Sequence, residues 1–309
     1  MRSEATANNS NKPWVGRCSV EFMRDKHNKT RHQGGCNAPL KLMGSKVHKD
    51  GRCELPILHT AGGLVGGDEL EININLKKNS KSTISTVAAQ KIYGSVKRSR
   101  IKPEGTWCKQ TILINQEEKT DLEWLPQETI MYENSLYEQE VIVQLEPNSS
   151  FMSMDIVRLG RTAASESLKQ GKWRSSLKIK RKGLGETNYW EYIDRTEVSQ
   201  ESLMSVHGLG GHPVVGCFVW VAATMTEEAK ILSLLNSIRI DRNGLSGQMR
   251  CGQIRQGIVA RYIGKSSRDA RQWFTCIWHR TRNHRNMILP EMPRYWPLQE
   301  EALWLKNEP

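Results

Sequence analysis

From Leu70 to Leu76 every second side chain is apolar: Leu70, Ile72, Ile74 and Leu76 alternate with Glu69, Glu71, Asn73 and Asn75. A period of two puts the two sets on opposite faces of an extended chain, so this stretch reads as a strand with one dry and one wet face. Trp173, Ser175, Leu177 and Ile179 alternate in the same way with Arg174, Ser176, Lys178 and Lys180. Shorter runs of this kind occur at 111–115, 137–145, 151–157 and 189–193. Turn formers separate the runs, as in Lys77-Lys78-Asn79-Ser80, Lys102-Pro103-Glu104-Gly105, Pro147-Asn148-Ser149 and Lys182-Gly183-Leu184-Gly185. Many short strands with turns between them predict an all-β, mostly β architecture of stacked, β-solenoid-like sheets, and the runs alone do not distinguish a sandwich from a solenoid-like stack. No fixed-length repeat is visible, so a regular β-helix finds no support in the spacing.

Two helices are expected late in the chain. Thr226 is placed to cap the first, with Glu227 and Glu228 in its positive first turn and an apolar stripe of Ile231, Leu232, Leu234, Leu235 and Ile238. The second opens on Ser266-Ser267-Arg268-Asp269, a capping-box pattern, and carries Ala270, Trp273, Phe274, Ile277 and Trp278 at helical spacing. That aromatic stripe fits a packed core. Prolines at 290, 293 and 297 then end regular structure, and Arg294-Tyr295-Trp296 is expected to lie extended on the body.

Composition removes several classes. A chain of 309 residues with 38% hydrophobic and 25% charged residues is too apolar for a disordered protein, and no apolar run approaches the length of a membrane span. The best candidate, 214–225, reads as a buried strand or hairpin. Residues 1–13 hold one Arg and no apolar core, and are expected to be a disordered leader before a single domain at 14–309. Seven cysteines without a CxxC exclude zinc-ribbon and thioredoxin motifs and fit reduced thiols in a cytoplasm.

Candidate chemistry is sparse. Gly62, Gly63, Gly66 and Gly67 crowd six positions before Asp68, but they lead into a strand rather than a helix, which speaks against a phosphate cradle. They suit either a tight backbone crossing or a flat surface for a partner. His207 and His212 flank another glycine run, with His59, His279 and His284 as remote co-ligands at best. Glu123 and Glu128 flank a proline turn, and no spacing marks them as an acid–base pair. No catalytic constellation emerges. A net charge of +12 is concentrated in two places. One holds Arg268, Arg271, Arg280, Arg282 and Arg285; the other holds Lys97, Arg98, Arg100 and Lys102. With ten tryptophans available for stacking, a basic β-rich nucleic-acid-binding protein is the competing reading.

Five segments, in order, resemble the UreD (UreH) family of urease accessory proteins: Leu58–Asp68, Thr86–Tyr93, Glu123–Ile130, Leu209–Val214 and Ala260–Gly264. The resemblance runs from about Gly16 to Trp296. It implies a non-enzymatic maturation factor of mostly β fold that acts with UreF and the GTPase UreG on urease apoprotein. It further implies no stably bound cofactor, with nickel in transit towards the urease centre. On that basis Asp68, Glu128 and His212 are expected to line the nickel's route, each an oxygen or nitrogen donor beside a Gly or Pro. The glycines Gly62, Gly63, Gly66 and Gly67, with Trp273, Trp278, Arg280, Arg282 and Arg285, are expected to face partners, the last five docking UreF.

Overall fold

The computed structural model describes residues 14–183, 187–293 and 295–296. The leader expected at 1–13 lies outside the described residues, as do Arg294 of the expected tail and Leu184 and Gly185 of one expected turn. Strands dominate, so the mostly β expectation holds at that level, and the described helices are three rather than two. These are the short α1 (Gln200–Met204), α2 (Glu228–Ile240) and α3 (Ser267–His284).

The strands form two mixed sheets. The seven-stranded sheet runs, in spatial order, through Asn188–Ser199, Lys172–Lys182, Leu136–Leu145, Cys108–Gln116, Glu69–Leu76, Val15–Arg24 and Thr30–Cys36. The main path of the eleven-stranded sheet is Gln248–Ile254, Gly257–Gly264, Val214–Val221, Ser150–Leu159, Asp121–Leu125, Lys81–Val87, Cys53–His59 and Leu40–Leu42. Between Glu69 and Lys182 the chain crosses repeatedly from one sheet to the other, and each pass pairs parallel to the previous one in that sheet. In the first sheet Ile72 lies opposite Ile112, Ile112 opposite Val141, and Val141 opposite Leu177, steps of 40, 29 and 36 residues. Passes of unequal length leave no periodic trace in the sequence.

The alternating pattern works as its period demands. Leu70, Ile72, Ile74 and Leu76 are buried, Glu69 is exposed, and the Asn115 side-chain amide donates to Asn75 Oδ1 at 3.1 Å on the wet face. The dry faces of both sheets meet in one core, with Phe22, Ile112, Val143, Phe151 and Val219 fully buried. The eleven-stranded sheet is dry on its outer face too. There Met152, Met154, Ile156 and Phe218 pack under α2 and α3. Strands covered on both sides tend to read as nearly continuous apolar runs, and Val214–Val221 does, while Ser150–Leu159 is interrupted by Ser153, Asp155 and Arg158.

Helix α3 starts where its sequence says. Ser266 Oγ accepts from the Asp269 N–H at 3.1 Å, and Ala270, Trp273, Phe274, Ile277 and Trp278 are all buried. The Trp273 indole N–H donates to the Ile238 carbonyl of α2 at 3.0 Å. Helix α2 departs from expectation in two details. Its N-cap is Glu227, with no side-chain cap bond, and Leu232 is exposed while Ile231, Leu234, Leu235 and Ile238 face inward. Thr226 sits one residue too early to cap it. At the far end Tyr295 donates to Glu54 Oε1 at 2.8 Å and Trp296 packs on Trp278, so this part of the tail lies on the body.

Candidate functional site

Three of the five distinctive segments meet at one place. Leu64 bridges in parallel to Ile92, Ile92 pairs with Met131, and Met131 pairs with Leu159, so the segments stack as successive rungs. Side bonds stitch the stack: the Gln127 N–H donates to Thr86 Oγ1 at 2.8 Å, and the Gln90 N–H donates to the Glu128 carbonyl at 2.8 Å. Behind the stack, between the sheets, lies a cavity of about 180 Å³. His59 and Gly62 reach it from the first segment, Thr86 to Lys91 from the second, and Trp124, Pro126, Gln127 and Thr129 from the third. The seven-stranded sheet closes it with Leu70, Ile72, Gln110, Ile112 and Gln139, and Asp155 stands in the wall from the other sheet.

The lining mixes apolar side chains with nine polar ones, Lys91 among them, and several of these are incompletely bonded. Gln139 donates to Asp155 Oδ2 at 3.2 Å and accepts from the Tyr137 hydroxyl at 2.9 Å. His59 Nε2, Gln90 Nε2 and Gln127 Nε2 are buried and have no hydrogen-bond partner among the described residues. Burial holds the His59 imidazole below its ordinary value, against the pull of the Asp68 charge, so the ring is neutral at pH 7 and free to offer a lone pair. Burial also pushes the Asp155 carboxyl up to about 6, helped by the nearby Asp194 and opposed by the Gln139 hydrogen bond. Asp155 lies opposite Cys217 on the next strand, and Cys217 opposite Arg261 on the one beyond. Arg261 pairs with Asp194 of the facing sheet at 2.7 Å and donates to the Tyr192 hydroxyl at 3.0 Å. A polar row therefore leads away from the cavity across the intersheet space.

The expected route residues are placed differently. Asp68, Glu128 and His212 do not line the cavity. Asp68 accepts from the Val65 N–H at 2.9 Å and the Trp14 N–H at 3.3 Å, which closes the glycine turn. Glu128 accepts from Arg271 Nε at 2.9 Å. His212 belongs to the loop before Val214. Among the described residues no group of three or more His, Cys, Asp or Glu could hold a metal ion, so His207 and His212 gain no co-ligands there. Asp155 is the residue that sequence reasoning missed, and its one signal was a carboxylate between Met154 and Ile156 in a largely apolar strand.

The expected partner-facing residues need a correction. Trp273 and Trp278 are fully buried in this chain's own core, and their rings are not available to an interface. Arg280 pairs with Asp241 at 3.0 Å, Arg282 with Glu123 at 2.6 Å, and Arg285 with Asp121 at 2.9 Å. With Arg271 on Glu128, these arginines meet carboxylates from other elements instead of forming a free basic face. Of the glycines, Gly66 marks a tight crossing: a Cβ there would lie 2.2 Å from Ser95 Oγ and 2.7 Å from the Thr106 carbonyl oxygen. Gly63 abuts the Lys91 carbonyl, Gly67 has φ of +99°, and Gly62, with φ of +77°, faces open space.

Fold and site together define a two-sheet β scaffold with a small cavity between the sheets, open at the edge where Gly62, Ala88 and Lys91 are exposed, whose walls carry incompletely satisfied polar groups. The family model described as UreD urease accessory protein matches residues 15–297. Urease accessory protein UreD of Synechococcus sp. (strain CC9605) is 53% identical over 291 residues, covering 94% of this chain and 93% of the relative. The proteins of the same name from Parasynechococcus marenigrum (strain WH8102) and Prochlorococcus marinus (strain MIT 9303) are 53% and 47% identical, each over 94% of this chain and over 93% and 99% of their own lengths. The chain belongs to the UreD family: it is a urease accessory protein, with a role in urease maturation, and not an enzyme. No described helix is long and apolar enough to cross a membrane.

Proposed function

We propose that this chain acts in the cytoplasm with UreF and the GTPase UreG to deliver nickel to urease apoprotein, and that the intersheet cavity is a stretch of the nickel's route. The observation that carries the reading is the convergence of three family-like segments on one cavity that holds a neutral imidazole, a carboxylate of raised affinity for protons and amide groups. A cargo ion must leave again, so scattered N and O donors suit transit better than a closed set of thiolates and imidazoles. His59 and Asp155 are the donors within the cavity. Asp68 and Glu128 hold its walls, the first by closing the glycine turn and the second through Arg271, which also donates to the Pro126 carbonyl at 3.1 Å. His212 stays a candidate outside the cavity.

The test uses His59→Ala and Asp155→Asn in cells that make the whole urease system. Co-purification with UreF and UreG should be unchanged, and the nickel content of the resulting urease should fall several-fold. Asp68→Ala and Glu128→Ala should lower assembly and nickel together, because they loosen the wall. Normal nickel loading in both cavity variants would remove the cavity from the route.

A further inference from the structure

Cys18 and Cys36 sit directly opposite each other on the antiparallel strands Val15–Arg24 and Thr30–Cys36. The neighbouring Arg17 and Asn37 form a hydrogen-bonded pair through the Asn37 N–H and the Arg17 carbonyl at 2.9 Å, which makes Cys18–Cys36 the non-hydrogen-bonded kind. In such pairs the Cα atoms are about 4.5 Å apart and the side chains come closest, within the range a disulfide spans. Both side chains point to the intersheet face, Cys18 inside the core and Cys36 packed against it. Thr30–Cys36 is the edge strand of its sheet, so the pair lies at the rim.

We propose that Cys18 and Cys36 form a dithiol site that undergoes reversible thiol–disulfide exchange with low-molecular-weight disulfides of the glutathione class, stapling the edge hairpin. The two sulfurs have unequal parts. Cys36 is half-buried at the sheet edge, and the neighbouring Cys18 thiol and Leu42 N–H hold its pKa down against burial; Cys18 is fully buried, and the neighbouring Cys36 sulfur and burial raise its pKa. Cys36 is therefore the attacking thiolate and Cys18 the resolving thiol.

In the first step Cys36 gives its proton to solvent and attacks one sulfur of the disulfide. A Cys36–glutathione bond forms, the glutathione disulfide bond breaks, and one glutathione leaves as a thiolate that takes up a proton. Capping Cys36 removes the negative charge beside Cys18, which eases loss of the Cys18 proton. The Cys18 sulfur then attacks Cys36, the Cys18–Cys36 bond forms, and the second glutathione leaves. Two protein thiols are oxidised and one small disulfide is reduced, so the step balances without another reagent. Cysteines at 53, 108, 217, 251 and 276 have no such opposed partner across a described strand pair.

The experiment treats the full chain with oxidised glutathione near neutral pH, quenches by alkylation and reads intact mass and peptide linkage. The expected result is a loss of two hydrogen masses with a single Cys18–Cys36 link, reversed by dithiothreitol. Cys18→Ala should trap one glutathione on Cys36, while Cys36→Ser should leave Cys18 unmodified. Circular dichroism confirms that each variant is folded, and Cys18→Ser replaces Cys18→Ala if the alanine variant is not. No link, a link through other cysteines, or an uncapped Cys36 in the folded Cys18 variant would overturn the proposal.

Discussion

Strand Asp121–Leu125 meets two different interiors within five residues. On one side Leu122 and Trp124 face the intersheet core, and Trp124 is part of the cavity wall. On the other, Asp121 and Glu123 face the layer under α3, where Arg282 holds Glu123 through two nitrogens at 2.7 and 2.6 Å and Arg52 and Arg285 both reach Asp121. Asp50 lies 3.8 Å from Arg52, so three cations meet three anions. On the cavity side Asp155 has a hydrogen bond from Gln139 and no ion pair among the described residues. Matched buried charge locks elements into one geometry, and breaking it strands the partner. Unmatched polar groups around a small space carry a standing desolvation cost, which marks them as candidates for work other than holding the fold.

The largest effect should come from the matched side. Glu123→Ala leaves Arg282 without its carboxylate and Arg52 with one fewer, at an expected cost of about 3–5 kcal/mol in urea denaturation. Burial pushes the Glu123 carboxyl up, but Arg52 and Arg282 outweigh it and hold the group at about 2. A lowered folded-state value means that this stabilisation is present above the ordinary value of 4.5 and is lost as the pH falls towards 2. A cost below about 1 kcal/mol would show that the layer under α3 tolerates unpaired charge as well as the cavity does, and the contrast would fail.

Asp155→Asn should move stability the other way. The folded carboxyl sits at about 6 against an ordinary 3.8, so its contribution is fully present below 3.8 and is lost as the pH rises through 6. The asparagine variant lacks that loss. It should match the parent near pH 4 and exceed it above pH 6, by at most about 3 kcal/mol and by less as the cavity admits solvent to the carboxylate. A variant that instead loses stability relative to the parent as the pH rises would place Asp155 with the matched charges, and parallel curves would show a carboxyl with no shift.

How far the sequence could anticipate this contrast depends on how local each signal is. The alternation at 70–76 and the Ser266 cap are written in neighbouring residues, and the structure follows both. The cap of α2 is equally local, yet Thr226 has a competitor one position later, and the chain takes Glu227 without a side-chain bond. The arginines of α3 looked like a free basic rim because their partners, Glu123, Glu128, Asp121 and Asp241, are 39 to 164 residues away. The cavity was half visible: its segments stood out as distinctive, but unequal passes between the sheets hid which of them share a wall.

The glycine turn beside the cavity should give a moderate effect. Gly66→Ala forces a Cβ against Ser95 Oγ and the Thr106 carbonyl, and the Ser95 hydroxyl is already bonded to the Thr106 N–H at 2.7 Å. The neighbours cannot both yield, so a cost of about 1–3 kcal/mol is expected, read as a lower urea midpoint. An unchanged midpoint would leave the flat-surface account of these glycines standing.

The smallest stability effect should be that of His59→Ala, and for that reason it discriminates best. Its imidazole sits in the cavity wall with Nε2 buried and without a partner among the described residues. Removing the ring forfeits packing but also removes an unsatisfied polar atom, and the two effects offset to within about 1 kcal/mol. If the cavity side is organised for transit, this variant keeps its urea midpoint and its assembly with UreF and UreG while urease receives less nickel. If His59→Ala is as destabilising as Glu123→Ala, the imidazole is a structural group, and the two sides of strand Asp121–Leu125 differ only in which residues hold them together.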